Sequence, residues 1–221
     1  MIRKTGSEIN TVIFDMDGVI IETAHLWERA EKKVFSSVGV KLTNELCKLT
    51  AKMTTSEVTK FWFEKQPWKS KSLKEVENGV IEHVAFLIKK EGKAVAGICE
   101  FIGNLKSKGY KIGLATNAPA VLIPVVLEKL ELGNFFDAVS SSEYEPGVKP
   151  NPSVYLTVAA KLNSKPENCI AVEDSFSGLL AAKKAGMKTI AYVKNKISDI
   201  ENGIADYIIS SYAEPDFSLF N

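Results

Sequence analysis

From residue 96 onward the chain alternates short apolar strands with helical segments, and this alternation constrains the fold more than any other feature. Apolar runs rich in β-branched residues indicate buried strands, and the stretches between them place apolar residues at helical spacing. Such an alternation predicts an α/β fold with a doubly wound parallel sheet. The expected strands are 111–115, 136–140, 169–172, 189–193 and 207–209. The expected helices are 98–108, 120–130, 152–162 and 175–185.

A first strand stands apart from the others near the start of the chain. Thr11–Phe14 is β-branched and aromatic and carries no charge, so its character assigns it to the same buried sheet. The following seventy residues show helical spacing without a convincing strand. This order predicts an α/β core made of residues 1–22 and 96–221, with an all-helical cap inserted at 23–95. The helices expected in the cap are 22–38, 55–66 and 73–90.

Composition excludes several classes of protein. The chain has 221 residues, is 45% hydrophobic and carries a net charge of +1, which gives no electrostatic case for nucleic acid or an anionic membrane. No apolar run reaches the roughly 20 residues of a membrane helix, and residues 1–7 lack the apolar core of a signal peptide. Cys47, Cys99 and Cys169 are widely spaced, which predicts no disulfide framework and fits a reducing cytoplasm. We expect a cytoplasmic monomer.

Polar residues follow the expected strands at the point where each strand ends. Ligands of open α/β sheets bind beyond the carboxyl ends of the strands, so these residues are expected to converge. Carboxylates two apart on an extended backbone point the same way, so Asp15 and Asp17 can face one small volume. The full set of candidate residues is Asp15, Asp17, Thr116, Asn117, Lys149, Glu173 and Asp174.

This set predicts phosphoryl chemistry assisted by Mg²⁺. Crowded carboxylates raise one another's pKa unless a cation is present, and hard oxygen ligands suit Mg²⁺. Thr116, Asn117 and Lys149 supply the donors and the positive charge that a phosphoryl group needs. A carboxylate that attacks a phosphate ester meets a repulsion of a few kcal/mol at about 4 Å and a dielectric near 20, which Mg²⁺ and Lys149 offset. Asp15 is then the candidate nucleophile, and Asp17 the candidate acid and base.

The motifs, in their order along the chain, resemble those of the haloacid dehalogenase-like phosphatase superfamily, in the group with a helical cap after the first strand. The resemblance runs essentially from end to end, and it implies a Rossmann-like core. Within the superfamily the chain is most similar to the 2-deoxyglucose-6-phosphatase and sugar-phosphatase branch near the β-phosphoglucomutases. The matching motifs are Asp15-Met16-Asp17-Gly18-Val19-Ile20-Ile21-Glu22-Thr23, Thr116-Asn117, Lys149-Pro150 and Glu173-Asp174-Ser175.

The resemblance assigns a role to each motif. It implies that Asp15 is the nucleophile, that Asp17 is the acid and base, and that Thr116 and Lys149 hold the phosphoryl group. It implies that Glu173 either binds the metal directly or supports the residues that do. The implied Mg²⁺ ligands are Asp15, the backbone carbonyl of Asp17, Asp174 and, in the first of those alternatives, Glu173.

The cap departs from the pattern of its relatives. Many relatives carry a Thr-x-Gly turn that reaches the substrate, and here Lys52 stands at the glycine. Thr55 and Trp27 stand where β-phosphoglucomutases have an arginine and a histidine. Since a mutase must hold a doubly phosphorylated intermediate, the missing arginine disfavours that activity. Trp62 and Trp68 are expected in the cap core, whereas Trp27 and Lys52 are candidate specificity residues.

The expected function is Mg²⁺-dependent hydrolysis of a small phosphorylated metabolite, most simply a sugar phosphate, through an aspartyl-phosphate. Two alternatives remain open from the sequence. One is a β-phosphoglucomutase-like phosphomutase, and the other is a protein that binds a phosphorylated metabolite without turning it over.

Overall fold

The chain divides into two compact units in the computed structural model. The sheet unit is Met1–Glu22 with Ala94–Asn221, and the cap unit is Thr23–Lys93. The first boundary, between residues 22 and 23, is the one that the sequence predicts, and the second lies two residues before its predicted position. The structure describes residues 8–50, 53–194 and 203–213.

The sheet unit is built on six parallel strands in the order β3-β2-β1-β4-β5-β6. Both faces of β1 and β4 are buried, as expected for central strands covered by helices on each side. The predicted α/β fold with a parallel sheet is therefore confirmed. The strands are β1 (Thr11–Phe14), β2 (Lys111–Thr116), β3 (Ala138–Ser141), β4 (Cys169–Glu173), β5 (Lys188–Tyr192) and β6 (Tyr207–Ile209).

Eight α-helices occur among the described residues, four in each unit. The cap unit holds α1 (Ala24–Ser37), α2 (Asn44–Thr50), α3 (Thr55–Lys65) and α4 (Leu73–Glu91). The sheet unit holds α5 (Ile98–Ser107), α6 (Leu122–Lys129), α7 (Ser153–Lys161) and α8 (Phe176–Lys184). No helix in the described part of the chain has the length and apolar character needed to cross a membrane.

Local hydrogen bonds fix the first residues of two cap helices. Reciprocal capping boxes start α3 at Thr54 with Glu57 and α4 at Ser72 with Glu75. Helix α2 has no counterpart in the sequence prediction, because it has seven residues and buries only Thr50. Short helices with little apolar face leave a weak periodic signal.

Aromatic side chains form the interior of the cap unit. The rings of Trp62 and Trp68 each pack on Phe35 at centroid distances of 6.3 Å. Both tryptophans are buried, whereas Trp27 is half-buried. The prediction that Trp62 and Trp68 are core residues and that Trp27 is the exception agrees with this arrangement.

Candidate active site

The register of the sheet brings the candidate residues to one edge. Phe14 pairs with Leu114 of β2 and with Val172 of β4. One residue further along each strand, Asp15 therefore lies level with Ala115 and Glu173. The structure thus shows at these three strand ends the convergence that the sequence predicts for a parallel sheet.

Lys149 is the centre of this cluster. Its Nζ donates to Oδ1 of Asp15 at 2.5 Å, to Oε1 of Glu173 at 2.6 Å and to the carbonyl oxygen of Ala115 at 2.8 Å. It also lies 4.9 Å from the ring centroid of Tyr155. The lysine is buried, with 6% of its surface exposed. All three ammonium protons thus have partners, which is what a buried cation requires.

Glu173 is held from three directions and is fully buried. Its Oε1 accepts from the Tyr155 hydroxyl at 2.6 Å as well as from Lys149, and its Oε2 accepts from Ser175 Oγ at 3.1 Å. Tyr155 was absent from the sequence prediction, since it lies within an apolar face of α7. A tyrosine on a helix that packs beside a motif strand is the signal that could have found it.

Thr116 and Asn117 organise the neighbouring loops. Thr116 Oγ1 accepts from the backbone N–H of Ala118 at 3.0 Å, which leaves the hydroxyl proton available. Asn117 Oδ1 accepts from the backbone N–H of Lys149 at 3.0 Å and from Ser142 Oγ at 2.8 Å. The side-chain oxygen of Asn117 therefore fastens the Lys149 segment to the end of β2.

Three carboxylates form a group that can hold a metal ion. Asp15, Glu173 and Asp174 each place an oxygen within 4.8 Å of the others. Asp174 is exposed as a whole residue, yet its carboxyl group packs on the turn at Gly18. That turn has a left-handed φ of +79°, and a Cβ there would lie 2.1 Å from Oδ2 of Asp174. Glycine at position 18 therefore meets both a conformational and a steric requirement.

Excess negative charge marks this edge of the sheet. Burial raises the pKa of Asp15 well above its usual range; Lys149 lowers it, and the neighbouring carboxylates raise it again. Burial and Glu173 raise the pKa of Asp174 to about 7. Burial by itself would lower the pKa of Lys149, but Asp15 and Glu173 outweigh that effect and hold it above its ordinary value.

The donor set fits Mg²⁺. Carboxylate and carbonyl oxygens are the ligands that a hard divalent cation prefers, and the site contains no thiolate or imidazole among the described residues. A cation at this position would also relieve the repulsion that raises the pKa values of Asp15 and Asp174. The cluster Asp15, Glu173 and Asp174 is thus suited to metal binding both by ligand type and by charge.

The remaining candidate residues are Asp17, Trp27 and Lys52. Asp17 is partly buried and lies in the turn after β1, where Gly18 N–H donates to the carbonyl of Ile21 at 2.8 Å. Trp27 lies on α1 of the cap unit. Lys52, the other candidate for substrate choice, lies outside the described residues.

The chain belongs to the haloacid dehalogenase-like hydrolase family, whose pattern matches residues 12–192. This range contains all four sequence motifs and the whole cap unit. The resemblance that the sequence motifs indicate is therefore confirmed.

Relatives that are named as phosphatases show the enzyme class of the chain. It is 37% identical over 214 residues to hexitol phosphatase B of Escherichia coli, an alignment that covers 96% of each chain. It is 32% identical over 191 residues to a phosphorylated carbohydrates phosphatase of Thermotoga maritima, covering 86% of this chain and 88% of the relative. The expectation of an enzyme of the phosphatase class is confirmed.

A solved structure shows the same fold. The crystal structure of CbbY from Rhodobacter sphaeroides in complex with phosphate matches with a TM-score of 0.83 at 25% identity. The match covers 93% of this chain and 96% of that one.

Proposed function

We propose that the protein is a Mg²⁺-dependent phosphatase of small phosphorylated carbohydrates that works through an aspartyl-phosphate. The observation that carries the proposal is the buried contact between Lys149 Nζ and Asp15 Oδ1 at 2.5 Å, at the end of β1 and beside Asp174. A carboxylate with a fixed cation beside it is suited to attack an anionic phosphate ester. The similarity to phosphatases of hexitol phosphates and phosphorylated carbohydrates supports the substrate class.

In the first step a carboxylate oxygen of Asp15 attacks phosphorus. The new P–O bond forms as the bond to the sugar oxygen breaks, and Asp17 donates a proton to the leaving alcohol. Lys149 stays protonated and offsets the repulsion between the two anions. The Thr116 hydroxyl donates a hydrogen bond to a phosphoryl oxygen.

In the second step water hydrolyses the acyl phosphate. Asp17, now ionised, accepts a proton from that water as it attacks phosphorus, and Asp15 is released as a carboxylate with inorganic phosphate. A Mg²⁺ ion held by Asp15, Asp174 and the Asp17 carbonyl supplies neutralisation of the phosphoryl charge when bound. We assign Glu173 to positioning Lys149, because Lys149, Tyr155 and Ser175 already occupy its oxygens.

The proposal is tested by phosphate release from a panel of phosphorylated hexoses, hexitols and smaller sugars, with Mg²⁺ and with EDTA. Asp15→Asn keeps the size of the side chain and removes the nucleophile, so we expect a loss of at least about 1,000-fold in kcat. Glu128→Gln, the same carboxylate-to-amide change on the exposed surface of α6, is the control and keeps full activity. Normal Mg²⁺-dependent turnover by Asp15→Asn would contradict the nucleophile assignment.

The same assay separates the two alternatives. A phosphomutase converts a hexose 1-phosphate to another sugar phosphate when a bisphosphate activator is present, without net release of phosphate. A binding protein takes up the ligand and releases nothing. We further propose that Trp27 and Lys52 contribute to substrate choice; the cytoplasmic location and the monomeric state stay predictions from the sequence.

A further inference from the structure

Tyr212 lies at the carboxyl edge of the sheet, although it belongs to none of the family motifs. Its ring stacks on that of Tyr192, the last residue of β5, at 4.6 Å and 8°. It also meets the ring of Phe101 of α5 at a centroid distance of 5.2 Å, and Phe101 in turn contacts Phe14, the last residue of β1, at 6.1 Å. Since β4 lies between β1 and β5, the Tyr212 ring lies near the end of β4, where Asp174 follows.

The backbone of this segment is fixed in place. Gly97, at the start of α5, has a left-handed φ of +80°, and a Cβ there would lie 3.2 Å from the carbonyl carbon of Tyr212. The ring is therefore held by close backbone packing as well as by its two aromatic neighbours. The hydroxyl at its tip has a defined position for the same reason.

That hydroxyl is buried and has no hydrogen-bond partner among the residues that the structure describes. Buried tyrosine hydroxyls normally find a partner, and a phenylalanine would fill the same space without the cost of desolvating an O–H group. Burial raises the pKa of Tyr212 well above its usual range, and the next contributions come from Tyr192, Asp174 and Asp15. The sheet register agrees with this: Ala191 pairs with Glu173, so Tyr192 and the Tyr212 ring stacked on it lie level with Asp174.

We propose that Tyr212 is a positioning residue for the metal-binding carboxylates, its hydroxyl donating a hydrogen bond to Asp174 in the Mg²⁺-bound enzyme. This inference rests on the proposed function, because it assigns a role toward the cation of that site. Carboxylates that bind a metal are themselves hydrogen-bonded by groups behind them, which fix their orientation. Among the described residues, Tyr212 is a buried donor near Asp174 whose hydroxyl has no other hydrogen-bond partner.

The test is the affinity of the full-length protein for Mg²⁺, measured by isothermal titration calorimetry without substrate. Tyr212→Phe keeps the ring stack and removes the hydroxyl, so we expect binding to weaken by roughly tenfold. The melting temperature in EDTA is expected to stay equal or to rise, because an unpaired buried hydroxyl is removed.

Tyr192→Phe is the matched control. It removes a hydroxyl from the same ring stack, but the charged groups that act on Tyr192 are Lys194 and Glu22 rather than the site carboxylates. We expect its Mg²⁺ affinity to stay within twofold of the wild type, so that a loss in Tyr212→Phe alone supports the proposal.

Three results would overturn the inference, and they are distinguishable. Unchanged Mg²⁺ affinity in Tyr212→Phe assigns the residue to the core alone and leaves the proposed function standing. Equal losses in both variants assign the effect to the ring stack. A wild-type protein that binds no Mg²⁺ contradicts the proposed function and, with it, the role of Tyr212.

Discussion

One ion pair of the sheet unit and one of the cap unit lie in opposite surroundings. In the sheet unit, the side chains of Lys149 and Glu173 are 3% and 1% exposed. In the cap unit, Arg29 pairs with Glu91 at 2.7 Å, and their side chains are 50% and 35% exposed. A buried ion pair gives little net stability after desolvation, so its presence at a strand end indicates function rather than a need for stability.

The difference predicts very unequal effects of removing one cation from each unit. Lys149→Met leaves Asp15 and Glu173 buried without their counter-charge, so we expect a loss of about 3–5 kcal/mol in the free energy of unfolding and loss of activity. Arg29→Met removes an exposed partner and should cost about 1 kcal/mol or less. Urea unfolding in EDTA measures both. Similar losses in the two variants would mean that burial does not determine how much Lys149 contributes to the free energy of unfolding.

The cap unit contains its own perturbed carboxyl group. Burial, followed by repulsion from Glu28, raises the pKa of Glu31 to about 7 from an ordinary 4.5. The folded protein therefore keeps a proton that the unfolded chain has lost at the same pH. Protonated Glu31 therefore makes its full contribution to the free energy of unfolding below pH 4.5. This contribution is lost as the pH rises toward 7.

Glu31→Gln removes this pH dependence, because the amide does not ionise. We expect it to stabilise the protein by roughly 2 kcal/mol at pH 8 and to have little effect at pH 4.5. Thermal melts at the two pH values measure the difference, with Glu82→Gln on the exposed surface of α4 as the control. An equal effect at both pH values would show that ionisation of Glu31 is not the cause.

The sequence predicts the sheet unit better than the cap unit for a physical reason. Parallel strands deliver whatever follows them to one edge, so strand order is enough to bring Asp15, Lys149 and Glu173 together. Tyr155 and Tyr212 reach the same region by packing, through α7 and through the segment after β6. Packing depends on distances between elements, and sequence spacing does not contain those distances. The sequence therefore predicts neither tyrosine at the site.

In the cap unit the sequence predicts helices and their aromatic core, and only Trp27 and Lys52 as candidate site residues. The helices α3 and α4 carry capping boxes and a buried face, which are local features. The role in substrate choice proposed for Trp27 and Lys52 rests instead on the positions of single side chains. Lys52 lies outside the described residues, and Trp27 lies half-buried on α1.

Two helical glycines allow the contrast between the units to be tested by adding one methyl group. At Gly178 of α8, a Cβ would lie 1.9 Å from Oε1 of Glu173, which is held by Lys149, Tyr155 and Ser175 and cannot easily move. Gly178→Ala should cost about 1–3 kcal/mol and reduce activity.

At Gly79 of α4 the same methyl group has room. The nearest atom, Cγ1 of Val34, would lie at 3.5 Å, an ordinary contact. Gly79→Ala should stabilise the cap unit by about 0.5–1 kcal/mol through its better helix propensity and leave catalysis unchanged. Chemical unfolding together with phosphate release compares the two glycines. A stable, active Gly178→Ala would show that Glu173 tolerates displacement.

Two serine N-caps, one in each unit, differ in what else their side chains touch. Ser72 caps α4 by accepting from the N–H of Glu75, and Ser175 caps α8 by accepting from the N–H of Gly178 at 3.1 Å. Each replacement by alanine should cost about 1 kcal/mol of stability. Ser175 also donates to Oε2 of Glu173, so its loss frees one oxygen of the acid that positions Lys149.

The two serine variants should therefore match in stability and differ in catalysis. We expect Ser175→Ala to lower kcat several-fold and Ser72→Ala to leave it unchanged, since the Ser72 cap is confined to α4. Initial rates at saturating substrate, beside melting temperatures of the same preparations, measure both properties. Equal activity in the two variants would limit Ser175 to helix capping. The position of the Glu173 carboxylate would then depend on Lys149 and Tyr155.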